Sequence, residues 1–304
     1  METLTHSRMS SAKTCLRKHF FRYENGIRKL YEGEALIIGR EIHEALDQQS
    51  IPLTPAYPEG CDSDEDRDAH DVTWAKIRGL VEGYLEFWSD DNCEILASEI
   101  EFEMPIINPE SGRSSRTFNA RGKIDRIVKL PDGRVAILEL KTTSENLDRG
   151  SDYWRRLQLD QQISLYWIGA KSLGHEIQTI LYDVIRKPSI RPKLIGKGDD
   201  KHRETAEEYR ERLVADINER PEFYFARDEV PRLQSDIEEF QQELWDQSKV
   251  LNECQKNGFW YRNTNACLHP FRCEYFDICH MDFKEGDPLP EGFVRAERQH
   301  EELS

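Results

Sequence analysis

The sequence predicts an α/β fold with a central mixed β-sheet flanked by helices. Two amphipathic helical stretches precede three strand-like segments in direct succession. A further helix and a fourth strand follow, and then more helices. That order suits a mixed sheet covered by helices. No internal repeat and no long low-complexity linker divides the 304 residues, a length that allows one large domain or two small ones. One domain spanning 1–304 is the expectation. Its core covers about 36–190 and its helical C-terminal part about 203–256. A Cys-rich segment, 267–279, is expected to pack with the Cys15 region, and an acidic tail covers 284–304.

Residues 8–30 read as a basic, aromatic-rich helical segment. "LIIGREIHEALDQ" (36–48) places Ile38, Ile42, Ala45 and Leu46 on one side of a helix, the period of an amphipathic element. "DSDEDRDAHD" (62–71) reads as a strongly acidic loop. "TWAKIRGLVEGYLEFWS" (73–89) keeps Trp74, Ile77, Leu80, Val81, Tyr84, Leu85 and Trp88 at helical spacing. Strands are expected over 94–106, 120–130 and 135–143, and one helix over about 153–172, closed by Gly174. A strand over 177–187 and helices over 203–219 and 232–256 complete the reading.

Charged residues make up 33% of the chain and the mean hydropathy is -0.76. No apolar run approaches the roughly 20 residues that span a bilayer. The first residues, "METLTHSRMSSAKTC", lack the apolar stretch of a signal peptide, so the expectation is a soluble, cytoplasmic protein without membrane contact. A net charge of -16 argues, taken alone, against a surface for nucleic acid. The charge is uneven, however. Basic residues collect in "CLRKHFFRYENGIRK", in "WRR" (154–156) and in "IRKPSIRPK" (185–193). The seven cysteines are odd in number, which argues against a disulfide framework. Three of them, Cys267, Cys273 and Cys279, fall within thirteen residues, which suggests a metal or a cluster.

The stretch "VAILELKTT" carries the chemistry. Four apolar residues run into Glu139 and Lys141, although burying an unpaired charge is costly. "GKIDRIVKLPDGRVAILELK" reads as a hairpin with two registers. A two-residue Asp132-Gly133 turn would send Asp125 and Glu139 to opposite faces. A three-residue Pro131-Asp132-Gly133 loop suits Pro at the first central turn position and Gly as a left-handed bulge. It pairs Leu130 with Arg134 and sets Asp125 across from Glu139, with Lys141 pointing the same way. The second register is preferred, because two facing carboxylates repel unless a cation lies between them. Asp199-Asp200-Lys201 and Asp282-Phe283-Lys284 also match acid-x-Lys, but neither follows an apolar strand. Glu99, Glu101 and Glu103 alternate along a strand; one of them could face the metal site, but a solvated edge is the preferred reading.

In order along the chain stand Gly39-Arg-Glu-Ile-His43, Gly122-Lys-Ile-Asp125, Glu139-Leu-Lys141 and Gln162-Ile-Ser-Leu-Tyr166. Each is weak alone; the ordered set resembles the RecB-like branch of the PD-(D/E)XK nuclease superfamily over roughly residues 7–283. Cys15 with "ACLHPFRCEYFDIC" resembles those members, CRISPR-associated adaptation nucleases among them, in which four cysteines hold a 4Fe–4S cluster. Here the first C-terminal gap of five residues departs from the commoner gap of two, and zinc is the alternative occupant.

The resemblance implies a restriction-endonuclease-like core and a Mg²⁺- or Mn²⁺-dependent deoxyribonuclease of bacterial or phage type. Single-stranded DNA or DNA ends would be the substrate, with exonuclease action. His43, Asp125, Glu139 and the backbone carbonyl of Leu140 would hold the ion. Lys141 would orient or help deprotonate the attacking water, and Gln162 and Tyr166 would position Lys141 or the DNA backbone. Arg17, Lys18, Arg22, Arg155, Arg156, Arg186 and Lys187 are candidate DNA contacts, and the aromatic residues within 17–29 could stack on a single strand. A helicase, recombination or CRISPR partner and an oligomer are compatible with it. The competing readings are a catalytically idle DNA-binding or assembly subunit, and a redox protein centred on the cluster.

Overall fold

The computed structural model describes residues 1–58, 60–196, 202–281, 283–284, 286–296, 300 and 303. The chain opens with β1 (Glu2–Leu4), α1 (His6–Thr14) and α2 (Leu16–His19), continued by a π-helical turn, Phe20–Glu24. β2 (Ile27–Lys29), α3 (Glu34–Asp47) and α4 (Asp64–Phe87) lead to β3 (Glu94–Ile107), β4 (Ser114–Lys129) and β5 (Val135–Thr143). Next come α5 (Asp152–Leu157), α6 (Gln161–Ser172), β6 (Thr179–Arg186), β7 (Leu194–Ile195), β8 (His202–Arg203), α7 (Ala206–Glu219), α8 (Pro221–Tyr224) and β9 (Phe225–Glu229). α9 (Gln234–Asn257), a 3-10 turn (Thr264–Ala266), α10 (Phe276–His280) and β10 (Phe293–Arg295) close the chain.

Six strands form the central sheet in the order β1–β4–β5–β6–β9, with β3 also on β4. The sheet is mixed: β1 runs parallel to β4 and β5 parallel to β6, whereas β3–β4, β4–β5 and β6–β9 are antiparallel. β3 fills one edge of β4. The other edge is shared, with β1 opposite Phe118–Ala120 and β5 opposite Arg126–Lys129. The described ladder leaves 121–125 without a strand partner on that edge, so the sheet forks there.

The β4–β5 register is that of the three-residue loop. Lys129 pairs with Val135 and Arg126 with Leu138. The Leu130 N–H donates to the Arg134 carbonyl at 2.8 Å, and Gly133 takes φ +90, which a residue with a Cβ adopts only under strain. Asp125 and Glu139 are the next residues beyond the last pair, at the fork.

α3, α4 and α7 cover one face through Ile38, Ile42, Ile77, Leu80, Leu213 and Ile217, which share a core with Leu140, Ile185 and Phe225. α6 and α9 cover the other through Ile163, Tyr166, Phe240 and Leu244, packed on Phe102, Ile124, Ile137 and Val184. A separate small core joins the chain's two terminal segments: Phe21 and Ile27 with Tyr275, Ile278 and Phe283. There β10 pairs antiparallel with β2.

Three expectations change. The acidic stretch at 62–71 is no loop: from Asp64 it is the start of α4, capped by the Ser63 hydroxyl on the Asp66 N–H. Asp64, Glu65 and Asp66 sit in the first turn, where the positive end of the helix favours carboxylates. The helix expected over 153–172 is two, α5 and α6, because Asp160 caps a new start. The aromatics of 17–29 do not face solvent: Phe21 and Tyr23 are 1% and 2% exposed, so they are core rather than a stacking surface. Asp199–Lys201 and Asp282 lie outside the described residues, as does part of the acidic tail.

Candidate active site

Glu139 lies in β5 between Leu138 and Leu140 and is only 2% exposed. A carboxylate there must be compensated. One oxygen is: Lys141 Nζ donates to Glu139 Oε1 at 2.7 Å. The other, Oε2, has no hydrogen-bond partner. Lys141 also donates to Gln162 Oε1, and Gln162 Nε2 donates to the Tyr166 hydroxyl at 2.9 Å. Gln162 and Tyr166 stand four apart on α6 and so share a face. Tyr166 reaches the sheet because position 122 is glycine. A Cβ on Gly122 would come within 2.7 Å of the Phe102 ring and 3.0 Å of Tyr166.

Asp125 stands at the fork. Its Oδ2 accepts from the Leu140 N–H at 2.9 Å and lies 3.7 Å from Nδ1 of His43 on α3. His43, Asp47, Tyr84, Glu99, Asp125, Arg126, Leu138 and Leu140 line a cavity of about 20 Å³. Burial first, with lesser help from Glu99, raises the Asp125 carboxyl to about 6. Burial and then Asp125 raise Glu139 to about 7. Burial acts to lower the Lys141 ammonium, but Glu139, Asp160 and Asp125 together outweigh it and hold Lys141 above its ordinary value. Burial lowers His43, which favours the neutral imidazole that can serve as a ligand. Strongly perturbed acids beside a lysine and an imidazole are typical of functional sites.

The donor set suits a hard or borderline divalent cation, with carboxylate oxygens and one imidazole nitrogen. The orphaned Glu139 Oε2 is the observation that fits such an ion. As the side chains stand, no group of three or more His, Cys, Asp or Glu among the described residues is gathered into a metal-holding arrangement. The Lys141 ammonium takes the other oxygen of Glu139 instead.

Glu99, Asp47 and Tyr84 are among the lining residues that the sequence reading did not assign to the site. Glu99, read as part of a solvated edge, lines the cavity. It lies between the pairs Ser98–Arg126 and Ile100–Ile124, level with Asp125, at φ +51, a strained value for a non-glycine residue. Lys123 is ion-paired to it. The β3–β4 register would have revealed this placement. Asp47 lies one helical turn after His43 in the sequence, a signal that was available. Tyr84 is held from behind: Arg227 donates to Asp183 Oδ2 at 2.8 Å and to the Tyr84 hydroxyl at 3.1 Å.

The candidate DNA contacts divide. Arg155 and Arg156, on α5, are exposed; Arg156 pairs with Glu145 just beyond β5 at 2.9 Å. Arg186 lies 4.1 Å over the Phe223 ring and Lys187 donates to the Ala35 carbonyl, so both are engaged in packing. Arg17, Lys18 and Arg22 lie away from the site, Lys18 and Arg22 beside Glu274.

Arg17 and Lys18 line a second cavity, around which the structure brings Cys15, Cys267, Cys273 and Cys279 together with Phe21, Tyr275 and Phe276. The Asn263 N–H points at Cys15 Sγ and Arg262 Nε at Cys279 Sγ, each at 3.2 Å. Cys61, Cys93 and Cys254 do not line it.

The sequence model of one family, the PD-(D/E)XK nuclease superfamily, matches residues 3–280 of the chain. No curated protein matches. Among solved structures, that of SSO0001 is similar at 15% identity, over 70% of this chain and 82% of that one, with a TM-score of 0.30.

Proposed function

Because the chain belongs to the PD-(D/E)XK nuclease superfamily, we propose that the site at the sheet fork hydrolyses phosphodiester bonds of DNA with Mg²⁺ or Mn²⁺. The substrate is single-stranded DNA or DNA ends, cut as an exonuclease. The observation that carries this reading is the buried, unpartnered Oε2 of Glu139, beside Asp125 and His43.

His43, Asp125, Glu139 and the Leu140 carbonyl would hold the ion. When bound, it supplies an activated water and offsets charge on the phosphate. The protein's own residues do the rest. Lys141 donates toward the attacked phosphate or its water. Gln162, fixed by Tyr166, holds that ammonium in place. Arg155 and Arg156 supply exposed positive charge for the backbone of the strand.

The four cysteines would hold a 4Fe–4S cluster, which needs four thiolates; zinc is the alternative. The sharing of one cavity by all four thiols, with N–H groups aimed at two of the sulfurs, supports this reading. The setting proposed is the cytoplasm of a bacterium or a phage-infected cell, with a recombination, helicase or CRISPR partner.

The test uses anaerobically purified protein on labelled single- and double-stranded DNA with Mn²⁺, beside the Asp125→Ala variant. Cleavage that needs both the ion and Asp125 is expected. Binding without cleavage under every condition overturns the reading in favour of an idle DNA-binding subunit.

A further inference from the structure

Lys141 is held at the wrong end of a helix. Its ammonium bonds to Gln162, the second residue of α6, where the unpaired N–H groups and the helix dipole present positive charge. A cation there needs compensation beyond Glu139, whose other oxygen is the candidate ion ligand.

Asp160 stands where it can provide it. As the residue before α6, it accepts the Gln162 N–H on Oδ1 at 2.9 Å and the hydroxyl of buried Tyr182 on Oδ2 at 3.0 Å. His6 of α1 lies 3.9 Å from Oδ1. Its own carbonyl accepts from Arg232 at 2.7 Å, and the same buried guanidinium bonds the Leu157 and Gln158 carbonyls. The Asp160 turn is thereby pinned from β6, from α1 and from the start of α9. A cap alone would not call for such anchoring: asparagine or serine would serve equally.

We propose that Asp160 is a positioning residue of the reaction, whose negative charge holds the Lys141 ammonium in place against the positive end of α6. It acts through Lys141 and Gln162 and touches neither substrate nor ion. This inference rests on the role assigned to Lys141 above.

Asparagine separates charge from cap, because it keeps the helix start and removes the charge. Asp160→Asn is expected to melt within a few degrees of the parent and to keep KM, while kcat falls about tenfold. Asp160→Ala is expected to lose stability as well. A kcat for Asp160→Asn equal to that of the parent reduces Asp160 to a helix cap and overturns the proposal. A readout independent of activity is the ¹⁵N signal of the Lys141 ammonium, assigned with Lys141→Arg. It is expected to be ordered and slow to exchange in the parent and averaged in Asp160→Asn. If the parent does not cleave DNA, the nuclease reading fails by itself, and an unchanged Lys141 signal in Asp160→Asn then overturns the positioning role separately.

Discussion

The sheet fork and the cysteine-lined cavity are built by opposite means. At the fork, regular ladders and one helix face deliver the candidate catalytic groups: β5 brings Glu139 and Lys141, β4 brings Asp125, and α6 brings Gln162 and Tyr166. Around the cysteine cavity the groups come from short helices and turns at the two ends of the chain. The fork therefore stores a charge conflict in a rigid frame, with a buried carboxylate oxygen left unpartnered. The cavity gathers four cysteine side chains on short elements and turns. A group placed by a ladder can be located by counting residues; a group placed by turns cannot.

The contrast is tested most severely at Lys141. Lys141→Ala should act mainly on rate, lowering cleavage by about 10²–10³-fold, the loss typical of a removed charge-stabilising donor, although buried Glu139 loses its partner and the metal-free protein melts somewhat lower. A large fall in stability at unchanged rate would make Lys141 a structural ion pair. Cys273→Ala should do the reverse. It should abolish broad visible absorbance and bound iron and lower the melting temperature, while residual cleavage by the still-folded fraction keeps its dependence on Asp125. A colourless, zinc-loaded parent protein would replace the cluster by zinc.

The stored charge conflict has a pH signature in metal-free protein. Asp125 and Glu139 are raised, to about 6 and about 7, mainly by burial. Between about pH 4 and 7 these two carboxylates therefore bind more protons in the folded protein than in the unfolded chain, while burial lowers His6, His19 and His43 and works in the opposite sense. The carboxylates' contribution to stability is fully present at the acidic end and is lost as pH rises through that window, on the order of 3 kcal/mol for each carboxylate. In thermal melts from pH 4 to 7.5 the parent should lose stability relative to Asp125→Asn as pH rises, and added Mn²⁺ should reduce that difference. A constant separation between the metal-free parent and Asp125→Asn across the window would deny the conflict. The smallest expected effect is at Gly122. Gly122→Ala drives a methyl into Phe102 and Tyr166 and should cost about 1–3 kcal/mol of stability, as overpacking does. Its cleavage loss should be smaller than that of Lys141→Ala.

What could be read in the sequence follows the same division. The Pro-Asp-Gly turn fixes the β4–β5 count, so the meeting of Asp125 with the Glu139 strand was legible. The acidic run at 64–71 was not read as helix, because propensity arguments weigh charge as solvation and overlook its benefit at a helix start. The break between α5 and α6 was missed because Arg232, seventy residues later, holds the turn. β9 was missed because it earns its place only by pairing with β6. Glu99 read as one of three alternating glutamates, since its backbone φ appears only in the folded chain.

The small core at the chain ends also sets an order of assembly. Phe21 and Ile27 meet Tyr275 and Ile278 across roughly 250 residues, and the Tyr275 hydroxyl closes on the Ile27 carbonyl at 2.8 Å. Contacts so distant in sequence form late, after the intervening chain has collapsed and shortened the search. On the ribosome, Phe21 and Ile27 must wait exposed until Tyr275 and Ile278 have emerged. The fork at Asp125 and Glu139 can thus take shape before Phe21 and Ile27 are fastened, and closure of Tyr275 onto Ile27 comes after it.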